Sequence, residues 1–271
     1  MTQVTSLKFD LQRTGLLRSG ATARHFNPHL HSTHSIVLLK SGAARIQSAR
    51  WSKVVGAGDV FFFNPFEVHA AESVQAPAEY ETLYPSQEFI AGCVAERNAG
   101  DTIIIQTDVI SRSRQTRELA EVLSAPVADG GAIEEALRNI LQACTVSTDS
   151  PALCAKSVAF RACRFIKDNC SRAMRTNDLA NKMGLHRSHF IRAFKKETGI
   201  APQNYIRQVR VAKAHDLICA GLDLSEVAQI VGFCDQAHLS REFKKVFGVP
   251  PGALSRRIAA ASRQQSRLLD S

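Results

Sequence analysis

His189-Phe190-Ile191-Arg192-Ala193-Phe194-Lys195-Lys196 is followed 49 residues later by His238-Leu239-Ser240-Arg241-Glu242-Phe243-Lys244-Lys245. The match spreads outward on both sides. Leu179-Ala180-x-x-x-Gly184 returns as Val227-Ala228-x-x-x-Gly232 at an offset of 48, and Gly199-x-x-Pro202 returns as Gly248-x-x-Pro251, again at 49. One inserted residue between the glycine and the His-Phe/Leu pair falls where a turn tolerates it, so the pattern is two copies of one unit.

Each copy predicts a short helix, a sharp turn at glycine and a longer second helix. In the first, Thr176 or Asn177 caps Asp178–Met183, Gly184 turns the chain, and a second helix runs from Arg187 to Thr198. In the other, Asp223 or Leu224-Ser225 opens the helix, Gly232 turns it, and Gln236 to Phe247 forms the next. This is helix-turn-helix spacing. Phe190, Ile191 and Phe194 fix the buried face of one second helix, and Leu239, Phe243 and Val246 that of the other. The remaining faces display Arg187, Ser188, Arg192, Lys195 and Lys196, or Gln236, Ser240, Arg241, Lys244 and Lys245.

Those side chains suit a major groove: Arg bonds bidentately to guanine, Gln to adenine, Ser to several base edges, and Lys neutralises phosphate. A lysine-rich face is otherwise merely solvated, but the same Arg-x-Phe-Lys-Lys set at two equivalent places favours recognition. Ala201-Pro202 to Ala220-Gly221 predicts a connecting helix, with Pro in its first turn and Gly just past its end. About 18 helical residues make a rod of roughly 27 Å. Such a rod can hold two recognition helices in adjacent major grooves, about 34 Å apart.

The charge is divided along the chain in the same sense. The 271 residues carry a net charge of +9. Residues 1–150 hold 13 Lys and Arg against 16 Asp and Glu, a net of −3, while residues 151–271 hold 21 against 9, a net of +12. A polyanion is therefore met by the second part, and nucleic acid suits it better than an anionic membrane. With 45% hydrophobic and 22% charged residues the composition is that of a folded globular protein, which excludes collagen-like, disordered and miniprotein classes. No apolar run after Met1–Lys8 reads as a secretory signal and none is long enough to span a bilayer, so the expected location is the cytoplasm, with no membrane partner. Seven cysteines without a Cys-x-x-Cys pair argue against a disulfide framework or a zinc ribbon, and none stands in an evident activating context.

The first half carries strand signals. Ser35-Ile-Val-Leu-Leu39 ends at Ser41-Gly42, and Val60-Phe-Phe-Phe63 lies between Gly56-Ala-Gly-Asp59 and Asn64-Pro65. Short apolar runs punctuated by Gly and Pro predict a small barrel or sandwich. From about Gln87 the pattern turns helical, with amphipathic helices over Arg114–Leu123 and Ala132–Ala143. Thr145–Pro151, polar and at the charge boundary, is the expected linker.

Over about Ala155–Arg257 the sequence resembles the AraC/XylS family of bacterial transcription regulators, with Val231 to Pro251 close to the family signature. The resemblance implies a multidomain fold: an N-terminal all-β cupin-like barrel with following helices, and a C-terminal all-α domain with two helix-turn-helix units. The corresponding division is an arm over 1–20, an effector-sensing domain over 21–85, a helical extension over 86–145, a linker over 146–152, the DNA-binding domain over 153–258 and a tail over 259–271. Carried onto matching positions, base contacts fall on Ser188, Ile191 and Arg192 with Arg187 at the helix start, and on Gln236, Ala237, Ser240 and Arg241. Ile191 and Ala237 are apolar, suited to thymine methyls, and Ile191 is equally suited to a core. The partners implied are double-stranded promoter DNA, a small-molecule effector and RNA polymerase, with activation the expected mode. A homodimer would form through the helices between Ser111 and Ala143, which otherwise pack on their own barrel.

Residues 24–85 resemble the cupin-type effector domain through Phe26-x-x-His29-x-His31-x-x-His34, Gly56-x-Gly58-Asp59, Pro65-x-x-x-His69 and Tyr80-x-x-Leu83-Tyr84. His29 and His31 alternate, so on a strand they face one side together. With His34 and His69 they are the candidate effector-binding residues. Three histidines with an open position can hold zinc or iron; the glutamate common after paired histidines in metal-binding cupins is missing from Ser32–Lys40, and no cofactor is expected. Barrel-filling histidines are the remaining reading. The alternative function, a metal-dependent cupin enzyme with an appended DNA-binding module, needs metal and turnover where a regulator needs only binding.

Overall fold

The computed structural model describes residues 10–11, 17–93, 103–125, 130–148, 157–247, 249–256 and 258. By its contacts the chain divides into two compact units. Of the described residues, the first contains 10–26, 33–65 and 69–148, and the second contains 157–258 together with the short segments 27–32 and 66–68.

The first unit is built on antiparallel strands: β1 (Asp10–Leu11), β2 (Leu17–Ala23), β3 (His25–His29), β4 (Ser35–Ser41), β5 (Ala43–Ser48), β6 (Ser52–Gly56), β7 (Val60–Phe63), β8 (His69–Ser73) and β9 (Ala78–Tyr84). After them come helix α1 (Gln87–Cys93), the short strands β10 (Ile103–Ile105) and β11 (Val109–Ile110), helices α2 (Arg114–Ser124) and α3 (Gly130–Gln142), and strand β12 (Val146–Thr148). One sheet has the order β1-β2-β9-β4-β7-β11, a second β3-β8-β5-β6, and β10 pairs with β12.

The six-stranded sheet is covered on both faces, which is why β4 and β7 read as unbroken apolar runs instead of alternating. Val37, Leu39, Phe61, Phe63 and Tyr80 join Ala44, Ile46 and Val55 of the four-stranded sheet in the barrel interior. Ile36, Leu38, Val60, Phe62 and Leu83 face the other way, onto Leu119, Leu123, Ile133, Leu137, Ile140 and Leu141 of α2 and α3. The apolar stripes of these two helices, one possible dimer surface from sequence, are thus spent on their own sheet. Beneath that layer Arg18 Nε meets Glu81 Oε1 at 2.5 Å and Arg18 donates to the Leu123 carbonyl at 2.6 Å, tying β2, β9 and the end of α2 together.

Two segments differ from the sequence expectation. Val146–Thr148, at the start of the expected linker, is a strand registered against Ile103–Ile105, and 149–152 lie outside the described residues. Leu17–Gly20, within the expected arm, is part of β2, registered against Glu81–Tyr84 of β9. Most of 1–16 and all of the 259–271 tail lie outside the described residues.

The second unit comprises α4 (Val158–Asn169), α5 (Thr176–Lys182), α6 (Arg187–Thr198), α7 (Pro202–Cys219), α8 (Leu224–Val231) and α9 (Gln236–Phe247), with 251–256 also helical. Ala162, Ile166, Leu179, Phe190, Phe194, Tyr205, Ile206 and Val209 form the core of its first half, joined by Leu30 and Val68 from the two short segments. Pro202 occupies the first turn of α7, where its missing N–H costs nothing.

Candidate functional site

The two helix-turn-helix units are assembled by local hydrogen bonding that the sequence dictates. In the first, Asp178 reaches back from the first turn of α5 to the Arg175 N–H, 3.4 Å, so neither Thr176 nor Asn177 is the cap. Gly184, at φ 72°, turns the chain, and the Leu185 N–H closes on the Ala180 carbonyl at 3.0 Å. In the second unit Asp223 caps α8 by accepting from Ser225 N at 2.8 Å, as its sequence suggests. Gly232 has φ 86°, and a Cβ placed there would lie 2.5 Å from the Ser171 carbonyl oxygen. Glycine is required twice over, by conformation and by the approach of the segment that precedes α5.

The recognition helices α6 and α9 have the bounds expected from the repeat, Arg187–Thr198 and Gln236–Phe247. Phe190 and Phe194, and Leu239 and Phe243, are buried, while Val246 is only partly so. Arg187, Ser188, Arg192, Lys195 and Lys196 of α6, and Gln236, Ala237, Arg241, Lys244 and Lys245 of α9, are exposed; Ile191 and Ser240 are half-buried. Lys195, Lys196, Lys244 and Lys245 sit in the last turns, where the helix dipole favours cations. Lys245 pairs with Glu242 at 2.6 Å, so part of its charge is already answered.

Three features were missed from sequence. Asp235 accepts from His238 N at 2.6 Å and so starts α9, whereas the equivalent His186 makes no side-chain cap bond. That hydrogen bond holds the Asp235 carboxyl below its ordinary value. Cys234 is exposed, with Sγ 3.2 Å from Nδ1 of His238 and 3.5 Å from the Asp235 carboxylate. The i, i+4 spacing of the pair was the available signal. Finally, Arg210 donates to the Cys170 and Arg172 carbonyls at 2.7 and 2.9 Å, and Lys213 to the Lys167 carbonyl at 2.5 Å. These cations of α7 hold the end of α4 instead of facing solvent, so the +12 of this half is partly structural.

The histidines of the other half fare differently from one another. His34 is fully buried, with Nε2 2.9 Å from the Ile103 carbonyl, and burial pushes its pKa down to about 4. That is a structural placement, and His34 is withdrawn as an effector ligand. His29 and His31 meet edge to face at 5.1 Å, and Nδ1 of His29 lies 2.8 Å from the Asn27 carbonyl. Desolvation lowers the pKa of His29. The ring of His69 stacks on Phe63, 3.8 Å between centroids.

A family model of AraC-like ligand-binding domains matches residues 16–141, and one of helix-turn-helix domains matches 179–257. An uncharacterized HTH-type transcriptional regulator of Bacillus subtilis, YbfI, is 24% identical over 227 residues, covering 79% of this chain and 81% of that protein. The HTH-type transcriptional activator RhaS of Pectobacterium carotovorum is 24% identical over 258 residues, covering 89% and 90%. Among solved structures, ToxT of Vibrio cholerae with an unsaturated fatty acid bound shares the fold, with a TM-score of 0.55 and 15% identity over 89% of this chain and 94% of that one. No described helix is long and apolar enough to cross a membrane.

Proposed function

The chain belongs to the AraC family of DNA-binding transcription regulators, and from that premise we propose that it reads an asymmetric promoter site through α6 and α9 and activates transcription when a small molecule occupies its N-terminal barrel. The carrying observation is the repeated display of equivalent basic and polar side chains on two helices joined by one unbroken helix. Arg192 and Arg241 read base edges together with Arg187, Ser188, Ile191, Gln236, Ala237 and Ser240. Lys195, Lys196, Lys244 and Lys245 hold phosphates. The half-burial of Ile191 leaves room for a thymine methyl contact by its outer edge. The activators among its relatives support RNA polymerase as the protein partner, and a promoter as target favours the cytoplasm as its location. A homodimer, if formed, would use surfaces other than the buried stripes of α2 and α3.

In this reading the barrel binds its effector without turnover, with His69 in its lining. Selection of random duplexes by the full chain tests the proposal. Enrichment of two unlike half-sites about one helical turn apart is expected; recovery of unenriched sequence would sink it.

A further inference from the structure

Between His189–Lys196 and His238–Lys245 the two copies differ in charge at one place: Glu242 of α9 stands where α6 has Ala193. The Glu242 carboxylate carries a cation on each oxygen. Lys245 Nζ lies 2.6 Å from Oε1, and Nε of Arg207, on α7, lies 4.0 Å from Oε2. The side chain of Glu242 is 14% exposed, against 46% for Arg207 and 69% for Lys245. One largely covered carboxylate thus gathers two cations that are themselves open to solvent.

Arg207 stands apart from the other cations of α7. Arg210 and Lys213 are turned onto the carbonyls at the end of α4, whereas Arg207 meets the recognition helix. Its guanidinium also donates to Asn204 Oδ1 on its own helix. Guanidinium has five N–H donors and ammonium three, so Glu242 and Asn204 leave most of them for another acceptor. An exposed ion pair contributes little to folding, so stability alone gives this cluster small value.

We propose that Arg207 and Lys245 form a seat for one backbone phosphate of the DNA at the junction of α7 and α9, held together and partly neutralised by Glu242. The inference rests on the reading of α6 and α9 as the DNA-binding helices and adds to it a residue that lies on neither. A phosphate accepts charge-assisted hydrogen bonds from the guanidinium and the ammonium together, while the Glu242 charge opposes its approach. The second unit therefore grips the backbone less tightly than the first, where Lys196, the counterpart of Lys245, has alanine in place of that carboxylate.

Binding of the full-length protein to its selected duplex and to a random duplex is measured from about 50 to 200 mM salt. Arg207→Ala is expected to weaken both alike, by about fivefold, and to lower the salt slope by about one unit at an unchanged melting temperature. Glu242→Gln keeps an acceptor for both cations and removes the charge. It is expected to tighten both duplexes about fivefold, a gain that Arg207→Ala in the same chain should largely cancel. An unchanged slope for Arg207→Ala overturns the proposal, as does a stably folded Glu242→Gln that binds no more tightly than the unsubstituted protein; the network is then only a brace between α7 and α9. Should Glu242→Gln melt lower, the slope of Arg207→Ala decides alone. If Lys196→Ala lowers the slope and Arg207→Ala does not, the DNA-binding reading stands and the seat falls. A full chain without measurable affinity for either duplex removes both.

Discussion

Nε2 of His34 lies 2.9 Å from the carbonyl oxygen of Ile103, while its Nδ1 is buried without a partner. The ring is therefore the neutral Nε2–H tautomer, donating across to the first residue of β10. Protonating it would bury a second N–H with nothing to accept it, together with a charge.

Acid should loosen the first unit for this reason. The folded pKa is about 4 against 6.5 for the free side chain, so between those values the unfolded chain binds a proton the folded one refuses. The His34 contribution is complete above pH 6.5 and is lost as pH falls toward 4, by up to about 3 kcal/mol. Urea unfolding at pH 7 and pH 5 measures it. His34→Gln, which keeps a donor, should flatten the difference; an unflattened profile would assign the acid sensitivity elsewhere.

Gly232→Ala meets both a left-handed backbone angle and the Ser171 carbonyl. A loss of at least about 2 kcal/mol is expected, read as a lower melting temperature of the full chain. Gly184→Ala is the control, since a Cβ there meets nothing within 4 Å and only the backbone angle is strained. Equal losses would show that the Ser171 approach is not the constraint.

On DNA, Arg241→Ala should cost about 1–3 kcal/mol on the selected site and relax preference at one base pair. Lys196→Ala should weaken all sequences alike and lower the salt slope by about one. Lys245, already paired with Glu242, should lower it by less. Equal losses for Arg241→Ala on selected and random duplexes would remove it from base reading.

Cys234 should react with iodoacetamide ahead of Cys93, Cys144 and Cys163, whose thiols are pushed up by burial, the latter two to about 12 and about 11. An adduct at the start of α9 should reduce DNA affinity at least tenfold, and Cys234→Ser should abolish the effect. Peptide mass spectrometry with a binding assay checks both; labelling without loss of affinity would place the thiol outside the DNA contact.

The repeat made α6 and α9 legible to the residue, because two copies constrain each other's ends. The runs at β4 and β7 were legible since a strand buried on both faces cannot be polar on either. The pairing of Ile103–Ile105 with Val146–Thr148 was not, because three-residue strands separated by some 40 residues leave no local period. His34 was misassigned for a related reason: nothing in sequence distinguishes an imidazole aimed at a pocket from one bonded to a distant carbonyl. Asp235 escaped because the single inserted residue hid the capping position that His186 leaves unused.

The unbroken run of α7 from Pro202 to Cys219 has a genetic corollary. Inserting one residue in it would swing everything beyond by about 100° and lengthen it by about 1.5 Å. One added base pair turns a duplex by only about a third of that, given roughly 10–10.5 pairs per turn. Helix length and half-site spacing therefore cannot drift in small compensating steps, and promoters served by this regulator should share one fixed phase between their two half-sites even where the bases themselves diverge.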